Sequence, residues 1–169
     1  GVAITGAQAG GEYTGMSGTS MAAPHVAGAA ALVRQAHPDW SVQQLRQSLT
    51  SGVKEGPSDG IYAQGAGELW VPGAVDAQVL ASSSVNLGAF EWPHTGKEQL
   101  SGELTYTNIG TEPVRLQLKI RDLAGADGRS VTGNAVRLDR STVHLAAGES
   151  TTVRITATDR AQGMDPATF

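Results

Sequence analysis

Near residue 80 the spacing of apolar positions changes from a helical to an alternating period. Between Ser20 and about Gln35, alanine, leucine and valine occupy most faces of a 3.6-residue period, which predicts a helix buried all round. Pro24 is expected within its first turn or so, where a missing N–H costs little. The stretch His37-Pro38-Asp39-Trp40 stops this helix and Ser41 starts another. Gln44 is placed as the capping-box partner of Ser41, and Trp40 and Leu45 sit where a hydrophobic staple would join. Val42, Leu45 and Leu49 continue as an inward stripe that Gly52 ends. Short strands are predicted over residues 1–7 and 13–16, separated by a turn at Gly10 and Gly11, with Leu69 to Val71 as a further candidate. Strands flanking a buried helix indicate α/β organisation.

After the linker-like run Ser82-Ser83-Ser84 the period becomes two. Val114, Leu116, Leu118 and Ile120 alternate with Arg115, Gln117 and Lys119, and Val153 and Ile155 repeat the theme after a turn at Gly148. Val85 with Leu87, Leu104 with Tyr106, and Val143 with Leu145 add further short strands. Several short strands joined by turns read as a β-sandwich.

Composition narrows the function classes. At 169 residues and 40% apolar, the chain can bury one or two cores. Its net charge of -4 comes without a lysine or arginine block, which argues against a nucleic-acid partner. The apolar run Val26 to Val33 is far shorter than the roughly 20 residues of a membrane span. No charged leader precedes it, so no signal peptide is read in the chain. With zero cysteines there are no disulfides or thiolate metal sites.

The chemistry concentrates at the start of the first helix. A serine hydroxyl is a poor nucleophile unless it is exposed, given a base, and set where the oxyanion it creates is stabilised. A helix N-terminus supplies the last of these, through its free N–H groups and positive dipole end. Gly18 leaves room beside Ser20 for a substrate backbone. An N-cap serine on an alanine-rich helix would explain Gly-x-Ser alone.

The longer string Gly18-Thr19-Ser20-Met21-Ala22-Ala23-Pro24-His25-Val26-Ala27-Gly28 nevertheless resembles, nearly position for position, the segment around the nucleophilic serine of subtilisin-like serine peptidases. Gly1 to Ala7, His37 to Ser41, Gly65 to Leu69 and Val75 to Ala77 are similar to its neighbours in that family, in order. Further along, Trp92-Pro93, Thr105-Tyr106-Thr107-Asn108 and Val153-Arg154-Ile155-Thr156 resemble a fibronectin type III-like sandwich that follows the peptidase domain in some secreted bacterial subtilases.

The fold class so implied is α/β, the C-terminal portion of a subtilisin-like parallel-sheet domain over residues 1–80, followed by an all-β fibronectin type III-like sandwich over 81–169 that lacks its last strand. The resemblance makes Ser20 the catalytic nucleophile and its backbone N–H an oxyanion donor, with Gly18 and Thr19 lining the substrate approach. Met21 reads as a packing residue whose thioether would make activity sensitive to oxidants. A protein or peptide is the implied substrate, and secretion the implied location.

The family's chain order is aspartate, histidine, oxyanion asparagine, serine. None of the nineteen residues before Ser20 is Asp, His or Asn. His25 is expected to be a buried, hydrogen-bonded structural residue, and His37, His94 and His144 turn or surface residues. Asp39, Asp59 and Asp76 read as turn or helix-end groups. Calcium is a cofactor the resemblance allows, yet no matched residue identifies a ligand. The expectation is therefore a piece of a longer peptidase, cut at both ends and needing its N-terminal part as partner, fragile and inactive alone. The other reading is a non-catalytic binding or structural module that retains the Ser20 segment as scaffold.

Overall fold

The computed structural model describes residues 1–56, 65–91, 98–120 and 135–159. The expected Pro57-Ser58-Asp59-Gly60 turn, Trp92-Pro93, His94 and the stretch after Asp159 lie outside them.

The chain opens with an antiparallel hairpin, β1 (Ile4–Ala7) and β2 (Tyr13–Met16), in the register Ile4↔Met16 to Ala7↔Tyr13. Gly10 and Gly11, at φ 99° and 85°, turn the chain in a region that disfavours side chains. Helix α1 (Thr19–Ala36) comes next, then α2 (Val42–Ser51) and a short α3 (Val71–Val75) with Pro72 in its first turn. Leu69 to Val71 is not a strand: only an isolated bridge, Lys54↔Glu68, forms there before α3 begins.

The helices pack on one another over a limited area. Ala29 and Val33 of α1, Ser48 of α2 and Ala74 of α3 are buried. A Cβ on Gly52 would come within 2.4 Å of the Gly73 carbonyl carbon and 2.5 Å of Ala74 N, so the two backbones nearly touch. Gly52 caps α2 at φ -86°, and this close approach, not a left-handed turn, accounts for the glycine. His37 stacks on Trp40 at 3.7 Å, and its Nε2–H donates to the Val75 carbonyl at 2.7 Å, tying the end of α1 to α3.

Two expectations about burial fail. The N-terminal half of α1 is largely uncovered, with Val26 at 45% and, further along, Leu32 at 51% exposure, because α2 and α3 reach only the face around Ala29 and Val33. Val42 is 84% exposed and Leu45 and Leu49 half-buried, so the α2 stripe begins one turn later than its sequence suggests.

All described strand pairings are antiparallel; the expected parallel sheet is not found among the described residues. In the second half, β3 (Val79–Ala81), β4 (Gln99–Asn108), β8 (Ser150–Thr158) and β6 (Val136–Leu138) pair in that order, and β5 (Val114–Gln117) pairs with β7 (Thr142–Leu145). Val143, Leu145 and Val153, with Tyr106, Val114, Leu116, Leu118 and Leu138 around them, draw one apolar cluster from both sheets. Val85 and Leu87 form no ladder; their side chains instead cover Gly102, where a Cβ would meet them at 2.4 and 2.9 Å.

At the end of β4, Asn108 is fully buried. Its Nδ2 donates to the carbonyls of Glu112, Leu145 and Ala146 at 2.8, 3.3 and 3.0 Å, and its Oδ1 accepts from Gly110 N–H at 2.9 Å. One amide thus joins the β4–β5 turn to the Gly148 turn between β7 and β8.

Candidate active site

The two long helices begin in opposite ways. At α2 the capping box is complete: Gln44 N–H donates to Ser41 Oγ at 3.2 Å and Ser41 N–H to Gln44 Oε1 at 2.9 Å. At α1 no side chain caps the end. Its N-cap is Gly18, whose carbonyl accepts from Met21 N–H at 3.2 Å and Ala22 N–H at 3.3 Å. The N–H groups of Thr19 and Ser20 find no acceptor among the described residues.

An open helix mouth with two free N–H donors attracts developing negative charge. Ser20, the second residue of α1, is exposed at that mouth, and its hydroxyl has no partner among the described residues. The N-cap alternative for Ser20 is thereby replaced, because Gly18 holds that position.

Gly18 has a φ of 155°, and a Cβ on it would stand 3.9 Å from Ser20 N, over the open amide. Pro24 is the sixth residue of α1, beyond the four N–H groups that any helix leaves free. It therefore removes the hydrogen bond that would run to the Ser20 carbonyl, a real local cost where the sequence suggested a small one. Met21 is half-buried against Gly1, whose Cβ would lie 3.0 Å from Met21 Cβ.

Two of the described histidines are engaged elsewhere. His25 is exposed, not buried, and its Nδ1–H donates to the Met21 carbonyl at 2.7 Å along the helix. His37 is committed to Val75, and His144 lies on β7 in the second half. None of these histidines bonds to Ser20. Among the described residues no group of three or more His, Cys, Asp or Glu side chains could hold a metal ion. No helix of the described residues is long and apolar enough to cross a membrane.

What is assembled is an exposed serine hydroxyl beside two open amide donors, with no histidine bonded to it among the described residues. Residues 2–67 match the subtilase family. Relatives agree with that match. Over 84 residues the chain is 43% identical to minor extracellular protease Vpr of Bacillus subtilis, which covers 46% of this chain and 10% of that protein. It is 45% identical over 65 residues to subtilisin BL of Lederbergia lenta, covering 38% and 24%, and 53% identical over 51 residues to subtilisin E of Bacillus subtilis, covering 30% and 13%. The subtilase similarity thus spans less than half of this chain and between about a tenth and a quarter of these relatives.

One feature within the matched segment carries no signal in its residue types. Beyond the hairpin register Ile4↔Met16, Gly18 N–H donates to the Gly1 carbonyl at 2.9 Å and the Gly1 nitrogen to the Gly18 carbonyl at 3.1 Å. Val2 and Ala3 therefore face the single residue Ser17, which makes a β-bulge. Ala3 is at φ 52°, the one non-glycine residue with positive φ among those described, and its N–H donates to Ser17 Oγ at 2.9 Å. Alanine in that region costs about 1–2 kcal/mol. Nothing in the residue types Ala3 or Ser17 announces it.

Proposed function

We propose that this chain is part of a secreted serine endopeptidase of the subtilase type in which Ser20 is the nucleophile. Ser20 Oγ attacks a peptide carbonyl carbon while its proton passes to a histidine outside these 169 residues. The oxyanion rests on the Ser20 N–H and on an asparagine from the same outside segment, with an aspartate orienting the histidine. The C–N bond then breaks as the amine takes the proton, and water hydrolyses the acyl-enzyme. The observation that carries this reading is the uncapped start of α1, with exposed Ser20 at its second position and two N–H groups unclaimed.

The engaged state of His25 and His37 supports an outside base, and by itself the chain is inactive. Gly18 and Thr19 flank the path of the substrate backbone. Exposed Val26 and Leu32 on α1 fit burial against the rest of the same domain. Residues 1–80 are the C-terminal part of that domain, and 81–169 a fibronectin type III-like sandwich appended to it.

The test is hydrolysis of casein and of a chromogenic tetrapeptide by the longer protein and its Ser20→Ala variant. Turnover by the first and background turnover by the second supports the reading. A folded longer protein without turnover moves the assignment to a non-catalytic module.

A further inference from the structure

Resting on the reading of Ser20 as nucleophile, the geometry points to Ser17 as a positioning residue: its hydroxyl locks the Val2–Ala3 bulge, and the bulge aims the first turn of α1. A bulge places two residues against one, bends the strand and sharpens its twist, which re-aims the adjoining backbone. Here the adjoining backbone is that of Gly18, Thr19 and Ser20. After the bulge the two chains pair again through both Gly1–Gly18 hydrogen bonds, at 2.9 and 3.1 Å, so Gly18 is held against Gly1. Gly1 in turn leans on the residue after the nucleophile: a Cβ there would lie 3.0 Å from Met21 Cβ and 3.1 Å from Met21 C. The direction of the Ser20 N–H is therefore set by how residues 1–3 lie against Ser17 and Gly18, and not by a side-chain cap of α1.

The one side-chain bond in that arrangement among the described residues is Ala3 N–H to Ser17 Oγ at 2.9 Å. It satisfies a donor that the bulge removes from the ladder, at the residue whose positive φ is least welcome to an L-side chain. Without the hydroxyl, Ala3 loses the compensation for its conformation, the bulge relaxes, and Gly18 and Ser20 shift with it. Small displacements of an oxyanion donor are felt mainly in the chemical step.

The experiment measures fluorophosphonate labelling rate and peptide kinetics, well below the melting temperature, for the full-length wild type and its Ser17→Ala, Ser17→Thr and Ser17→Ala/Ala3→Gly variants. The expected result for Ser17→Ala is a fall of about tenfold in labelling rate and kcat, the weight of one lost hydrogen bond, with KM little changed. Ser17→Thr, which keeps the hydroxyl, retains the wild-type rate. The double variant recovers most of it, since glycine accepts positive φ unaided. Should Ser17→Ala fail to fold, the double variant, which keeps the bulge without the hydroxyl, is compared directly with Ser17→Thr, and near-equal rates support the inference while a double variant far slower overturns it. Labelling of Ser17→Ala within twofold of wild type, or no recovery on adding Ala3→Gly, overturns the role of Ser17 and leaves the peptidase reading standing. A wild type that takes no label defeats both.

Discussion

Asn108 offers the sharpest test of how the β-sheet half is held together. It is 0% exposed, with two N–H groups shared among three carbonyls and its oxygen on Gly110 N–H. At about 1 kcal/mol net for each of the three hydrogen bonds its atoms can fully satisfy, Asn108→Ala is expected to cost about 3 kcal/mol. Asn108→Asp keeps the acceptor for Gly110 but sets a buried carboxylate against the carbonyls of Glu112, Leu145 and Ala146. It is therefore expected to be worse than alanine at neutral pH. Its folded carboxyl would hold its proton above the unfolded value of about 4, so stability is lost as pH rises through that value and recovered on acidification. The assay is urea unfolding of the full chain, read from the amide resonances of β4 and β8. An alanine variant within 1 kcal/mol of wild type, or an aspartate variant as stable as asparagine at pH 7, would refute the reasoning.

Two further perturbations have definite outcomes. Gly52→Ala drives a methyl into main-chain atoms of Gly73 and Ala74, which no rotamer change can move aside, and should lower stability by about 1–3 kcal/mol in a thermal melt followed by tryptophan fluorescence; an unchanged melt would contradict the close approach of α2 and α3. Burial raises the Tyr106 phenol above its usual value of about 10, so folding stability present below that pH is lost as pH rises through the folded value. Tyr106→Phe should flatten that alkaline slope in denaturant titrations, and an unchanged slope would assign it to other groups.

The parts of the fold that sequence revealed are those governed by local chemistry. Ser41 and Gln44 announce a capping box because both bonds lie within four residues, and Gly10-Gly11 announces a turn because few residues accept its dihedrals. Alternation from Val114 to Leu118 marks β5 because one of its faces is packed. Burial was less legible: α1 is apolar on most faces, yet only the face meeting α2 and α3 is covered, and composition does not say how many neighbours a helix has. Gly52 was expected to end α2 and does so, but its contact with the backbone of Gly73 and Ala74 carried no signal in the sequence. At the site, the motif singled out Ser20 and Gly18, but the missing cap on α1 and the bulge at Ala3 appear only once hydrogen bonds are traced. Both concern backbone groups, which side-chain patterns do not encode.

Whether Ser20 is a nucleophile completed by residues outside this chain is tested most directly by covalent labelling. The 169-residue chain and the longer protein are treated with a fluorophosphonate, and the adduct is located by peptide mass spectrometry. A single adduct on Ser20 of the longer protein, and none on the 169-residue chain, is the expected result. An adduct elsewhere in the longer protein, or stoichiometric labelling of Ser20 in the 169-residue chain alone, would contradict it.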